Sequence, residues 1–392
     1  MTTTQDAAQL KRLTLVLGMA GFASTFTMRL LDPLVPTLAG EFGRSIPQVA
    51  MMATAFSICY AVGQPFLGPI ADAVGKARTI LVSIAALAVM LVACALAGDF
   101  ETLFILRMLM GIFAGGIIPV AMAAIGDRAP MSERQVALGR FLTIMIVGQT
   151  AGATASGVIA DYLGWRAVMV AASGLAAIAA TLVLVVLKPR PDAEREALSI
   201  ANAISRYRSL FSNPRTLTLY GMVVLEGALI FGIMPYVAAI LGDRSGVGAT
   251  EAGLVVGGAG LGGLVYGFAV RGLVARLGQA RMVLAGGLIM AAAIAVFALP
   301  FLPWWTAIGC FMVQGFGFFL MHGTFQAQAT ELAPTARGSA VALFACSLFC
   351  GHALGPIVVG ALKVSFGASI ALAAMAAGIA ILGLIAPRLL KL

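Results

Sequence analysis

Gly68-Pro69-Ile70-Ala71-Asp72-Ala73-Val74-Gly75-Lys76-Ala77-Arg78 joins two apolar runs, roughly 47–71 and 79–97, and has the chemistry of a turn between helices. Asp72 ends the first run, Gly75 permits a tight reversal because it has no Cβ, and Lys76 and Arg78 open the second. Part of this stretch returns 203 residues later, where Gly75-Lys76-Ala77-Arg78 becomes Gly278-Gln279-Ala280-Arg281. The same offset carries Gly148-Gln149-Thr150-Ala151-Gly152 onto Gly351-His352-Ala353-Leu354-Gly355, and Gly157 onto Gly360. Ala129-Pro130 maps to Ala333-Pro334 and Gly111 to Gly315, both at 204. One such match means little, but several at nearly one offset predict an internal duplication.

Composition says what is duplicated. Hydrophobic residues make up 61% of the chain and charged residues 10%, against about 25% charged in soluble domains. The mean hydropathy is +1.01. This predicts an all-α integral membrane protein. Twelve apolar spans can be marked, near 13–39, 47–71, 79–97, 102–125, 136–160, 166–187, 216–241, 251–270, 282–299, 304–330, 339–362 and 367–386. The polar segment 188–215 reads as a linker, with a short interfacial helix near 193–211, between six-span bundles at 1–187 and 216–392. Two parallel repeats about an axis along the membrane normal are the design of an alternating-access transporter. Lys11-Arg12 precede a run too long for a signal peptide, so the first span is expected to be retained.

The formal charge of +9 raises the question of nucleic acid, but the basic residues fall in short loops between spans. Nineteen of the 25 Lys and Arg lie on one side, four (Arg44, Arg166, Arg244 and Lys363) on the other, and Arg29 and Arg107 within spans. By the positive-inside rule both termini and the linker are cytoplasmic. Cys59, Cys94, Cys310, Cys346 and Cys350 all sit in apolar runs without ligand spacing, so they read as small buried hydrophobes and predict no metal site. Gly258-Ala259-Gly260-Leu261-Gly262-Gly263 fits a dinucleotide fingerprint, but it has no strand before it and lies inside an apolar span. No cofactor, no nucleic acid and no enzymatic activity are expected.

Charge inside the spans is the functional signal. Thr27-Met28-Arg29-Leu30-Leu31-Asp32-Pro33-Leu34-Val35-Pro36 places Arg29 and Asp32 on one helical face in the first span. Each costs about 2.5–3.5 kcal/mol near a membrane-helix centre, and Pro33 and Pro36 take away the helical donors to the carbonyls of Arg29 and Asp32. A structural ion pair at a kink and a polar lining on a substrate or proton route are both open. Arg107, eight residues into the fourth span from Asp99, is expected at the depth of Asp32 unless it merely snorkels. Glu226 lies near mid-membrane in the seventh span, Gln314, His322 and Gln326 form a stripe on the tenth, and His352 is central in the eleventh. Gln149 accompanies the small residues of the fifth span, whose spacing also suits plain helix packing. Arg29, Arg107, Asp32 and Glu226 sum to zero charge, which leaves the charge of the substrate open.

The Gly68–Arg78 loop resembles the G-x-L-A-D-R-x-G-R-x-x signature of the major facilitator superfamily, with Ala73 and Lys76 at its two usual arginines. The resemblance covers essentially the whole chain. It implies that Gly68, Asp72, Gly75, Lys76 and Arg78 form a cytoplasmic latch holding the outward-facing state, lopsided because Ala275 stands at the second Asp position. Arg107-Met108-Leu109-Met110-Gly111 is similar to the R-x-x-x-G pattern of proton-coupled members. Gly148 to Gly157 nears the antiporter signature G-x-x-x-G-P-x-x-G-G, with Ala153 in place of proline. The implied protein is a monomeric twelve-helix transporter in the bacterial inner membrane, exporting a small organic molecule or drug by proton antiport. Proton symport, uniport of a metabolite and lipid movement are the alternatives.

Overall fold

The computed structural model describes residues 2–187, 205, 208, 210–332 and 337–392; for 2–7, 68, 72, 131, 132, 135 and 337 it describes the backbone only. Its described residues form helices and turns, with no strand among them. Span 1 runs as Thr2–Arg29, stops, passes through a 3-10 turn at Asp32–Leu34 and resumes as Val35–Phe42. Pro33 and Pro36 cause the stop, since neither supplies an N–H. Span 7 repeats the device with Pro235: Arg215–Phe231, a 3-10 turn at Met234–Tyr236, then Val237–Ser245. Span 4 breaks between Phe100–Gly115 and Ile118–Arg128, ahead of Pro119.

Spans 2, 3, 5 and 6 are Ile46–Val74, Lys76–Ala95, Met131–Leu163 and Trp165–Leu182, the last extended by a π-helical turn at Val183–Leu187. Ala249–Phe297 is 49 residues of nominal helix, about 74 Å by helical rise, against a hydrocarbon core of about 30 Å. Gly278, at φ 69 and ψ 171, turns the chain there. Spans 8 and 9 are therefore 249–277 and 279–297. Spans 10, 11 and 12 are Thr306–Leu332, Arg337–Phe366 and Ala368–Leu389. Twelve spans result, as expected. Several outrun their apolar cores, span 1 beginning at Thr2 rather than near 13, because Gln, Lys and Arg favour helix in water as well as apolar residues do in lipid. Most of 193–211 lies outside the described residues. Cys94 and Cys310 are buried as expected, whereas Cys59, Cys346 and Cys350 are half-buried.

The duplication is written in the turns. Six described glycines take positive φ, and they form three pairs 203 residues apart: Gly43 with Gly246, Gly75 with Gly278, and Gly164 with Gly367. Gly164, Gly278 and Gly367 combine that φ with ψ of 160, 171 and 167, a region that is essentially glycine-only. A salt-link position is duplicated with its charge exchanged. Arg166 pairs with Glu41 and donates to the Ala97 carbonyl at 3.1 Å. At the matching positions, Arg244 replaces the acid and Ser369 the arginine; Arg244 donates to Phe297 and Ala298 carbonyls at 2.7 and 3.3 Å.

Buried side chains gather in two clusters, one including Leu17, Ile84, Phe141 and Met169 from spans 1–6, the other Leu219, Val255, Phe311 and Ile379 from spans 7–12. Span 5 meets span 8 where Gly253 lies on the Ala153 carbonyl and Gly157 on that of Ala249. Asp161 accepts from the Thr250 and Ala249 N–H groups at 2.7 and 3.3 Å. Span 2 meets span 11 where Thr54 donates to the Ala353 carbonyl at 2.8 Å and Tyr60 stacks on Phe349 at 3.8 Å. These contacts lie between mid-span and the end opposite the termini.

Candidate substrate and proton site

The breaks in spans 1, 4 and 7 decide where polar groups collect. The last carbonyls of a helix lack intrahelical donors, and here side chains of neighbouring spans take them. Arg107 donates to the Thr27 carbonyl at 3.3 Å; Gln64 and Ser24 donate to Gly115 and Ala114 at 3.0 and 3.4 Å. Arg29 and Asp32 flank the break in span 1 and form an ion pair at 3.2 Å, only 5% and 3% exposed. Arg107 is 1% exposed and lies over the Phe56 ring at 4.5 Å. It therefore meets span 1 one turn before Asp32 and acts on that carboxylate through space, while Arg29 is the direct partner.

Span 7 supplies the opposite wall. The Arg29 guanidinium lies 4.6 Å from the Phe231 centroid, and the His352 ring packs on Phe231 at 3.8 Å. Phe318 meets Phe231 edge-on at 5.2 Å and stacks on His322 at 4.6 Å. His322 Nδ1 is 3.0 Å from Glu226 Oε2, and Glu226 is fully buried. Gln314, one turn from Phe318 on span 10, is 1% exposed. Among the described residues, buried polar atoms without a hydrogen-bond partner include Arg29 Nε and Nη2, Arg107 Nε, Glu226 Oε1, Gln314 Oε1 and His352 Nε2. So much unmet hydrogen bonding is unusual for a core and makes these residues the candidate site.

Arg29, Asp32, Arg107, Glu226, His322 and His352 thus converge, with Gln314 one turn away. Gln149 and Gln326 are half-buried on spans 5 and 10 and no hydrogen bond joins them to this group. At the loop between spans 2 and 3, Gly75 turns at φ 99 and Lys76 pairs with Asp127 of span 4 at 2.5 Å. Arg78 is exposed, while the Asp72 side chain and the surroundings of Gly68 lie outside the described residues. In the second half Gln279 holds the Lys76 place and Glu331 the Asp127 place, and Gln328 donates to both, at 2.6 and 3.3 Å. Sequence reasoning misses Asp127 and the aromatic residues Phe231, Phe318 and Phe349. The signal for Phe231 is its place 202 residues after Arg29, at the equivalent break.

Two six-span repeats with ionisable groups at their broken helices make this a multi-pass membrane transporter. The profile of the Major Facilitator Superfamily matches residues 17–356 and 224–392, and the chain belongs to that superfamily. It is 27% identical over 349 residues to the uncharacterized MFS-type transporter YceJ of Bacillus subtilis (strain 168), covering 86% of this chain and 87% of YceJ. It is 29% identical over 160 residues to the multidrug export protein EmrB of Escherichia coli (strain K12). That match covers 41% of this chain and 31% of EmrB, so it spans about a third of that relative's length. A structure of the nucleoside transporter NupG superposes with a TM-score of 0.81 at 14% identity, over 96% of this chain and 99% of that one. At such identity the likeness is one of fold.

Proposed function

We propose that the protein exports a small organic molecule in exchange for protons, from a cytoplasmic membrane in which both termini face inward. Residues 1–187 and 216–392 act as the two moving bundles, 188–215 links them, and the site lies between them. The buried Arg29–Asp32 pair at the break of span 1 carries this reading. Protonating Asp32 leaves the Arg29 charge uncompensated, at a cost of about 3–5 kcal/mol. Its contact with Phe231 offsets only about 2 kcal/mol. Proton loading therefore forces Arg29 toward another anion or toward water, and because Phe231 belongs to span 7 the other bundle feels the change. The name of EmrB as a multidrug export protein favours export over import.

With the termini inside, the end closed by Asp161 and by Gly157 against Ala249 faces outward. Gly68, Asp72, Gly75, Lys76 and Arg78 are assigned to the latch that holds the outward-facing state, and the Lys76–Asp127 pair within the first bundle is already made.

Direction is the test. Proteoliposomes are given a panel of drugs, nucleosides, sugars and organic acids under an imposed pH gradient. Antiport accumulates substrate when the lumen is acid. Accumulation only when the outside is acid means symport and rejects export.

A further inference from the structure

The zero charge sum of Arg29, Asp32, Arg107 and Glu226 is separated in space. Spans 1 and 4 present two guanidiniums against one carboxylate, a net charge of +1, and span 7 presents the Glu226 carboxylate. The unmet hydrogen bonds divide the same way. Arg29 Nε and Nη2 and Arg107 Nε are spare donors, whereas Glu226 Oε1 and Gln314 Oε1 are spare acceptors. A chain of ring contacts links the two: Arg29 on Phe231 at 4.6 Å, Phe231 on Phe318 at 5.2 Å and Phe318 on His322, the partner of Glu226, at 4.6 Å, with His352 also on Phe231 at 3.8 Å. His352 lies within electrostatic reach of both Arg29 and His322.

Resting on the transporter reading, we infer that the substrate class of this site is an aromatic ampholyte: a planar ring with an anionic acceptor at one end and an ammonium or N–H donor at the other. A carboxylate matches the guanidinium forks of Arg29 and Arg107. An ammonium matches Glu226 and Gln314, whose unpaired oxygens are otherwise costly to keep buried. The ring packs on Phe231 and Phe318, where aromatic pairs gain beyond their buried area. A purely cationic ligand meets the guanidiniums, and a purely anionic one leaves Glu226 Oε1 and Gln314 Oε1 without donors. Both are penalised, and that mismatch supplies the selectivity.

The test is binding of three matched probes to the purified full-length protein in nanodiscs: an aminomethyl-naphthoic acid, naphthoic acid and naphthylmethylamine. The ampholyte binds at least about tenfold more tightly than either single-function probe, the equivalent of one charged hydrogen bond. Glu226→Gln, isosteric and confirmed folded by size-exclusion elution, weakens the ampholyte about tenfold and leaves naphthoic acid within about twofold. Should that variant not fold, the wild-type comparison decides alone. Naphthoic acid or naphthylmethylamine binding as tightly as the ampholyte overturns the inference, as does binding of none of the three. If other compounds of the transport panel still move under a pH gradient, only this inference has failed; if nothing moves under either gradient, the transporter reading fails with it.

Discussion

Asp32 takes its hydrogen bond from Arg29, three residues earlier, and feels Arg107 only through space. The two arginines therefore have different assignments. Under the proposed coupling, Arg29 is assigned as the direct partner of the acid and Arg107 as the cation that acts on it from the neighbouring span. Arg107→Ala should leave the ion pair intact and displace the pH profile of transport toward higher pH, measured as initial rates in proteoliposomes across a pH series. An unmoved profile would remove Arg107 from the coupling. Asp99, outside the spans, illustrates a purely structural acid. It caps span 4 by accepting from the Thr102 N–H at 2.7 Å and the Thr102 hydroxyl at 2.9 Å. The Thr102 N–H first, then its hydroxyl, hold the Asp99 carboxyl below the ordinary value. A depressed carboxylate contributes stability above its unfolded value, near pH 4, and loses it as pH falls through the folded one. Asp99→Ala should melt below wild type at pH 7, with the gap closing below about pH 4.

At the scale of elements, glycine has two separate uses. Gly75 and Gly278 are needed for their backbone angles, since a Cβ at either would meet nothing within 4 Å. Gly157 and Gly253 are needed for closeness, since a Cβ there would collide with the backbone of the facing span. Gly253→Val should therefore separate the ends of spans 5 and 8 and favour the conformation open at that end. Spin-label distances across that seam should lengthen without loss of folded protein, whereas unchanged distances would show that the seam does not set the equilibrium. The turns were legible in the sequence because a glycine-only angle leaves a glycine at both copies, as at Gly75 and Gly278. The breaks at Pro33 and Pro36 were legible because proline has no donor. The Arg29–Asp32 pair was one of the readings their spacing offered. The Glu226–His322 pair, 96 residues apart on different spans, was not legible. Phe231 and Phe318 were hidden among 22 phenylalanines that look alike in an apolar chain.

For the whole molecule, the proposed orientation rests on 19 basic residues against four, and it sets which side of the membrane the closed end faces. Arg244 is held by the Phe297 and Ala298 carbonyls, so the exposed neighbour Ser245 is the better reporter. In a cysteine-free background, a membrane-impermeant thiol reagent added outside cells should label Ser245→Cys and spare Arg195→Cys. The reverse pattern would invert the molecule and the direction of transport with it.

Coupling through the first bundle is the central claim, and proton-driven transport in proteoliposomes tests it most directly. Substrate accumulation under an imposed pH gradient is compared with passive exchange under none, for wild type, Asp32→Asn and Glu226→Gln. Asp32→Asn is expected to abolish gradient-driven accumulation and spare exchange, whereas Glu226→Gln weakens binding and keeps its response to the gradient. Full proton-driven transport by Asp32→Asn, with loss in Glu226→Gln, would place the coupling site at the Glu226–His322 pair and contradict that claim.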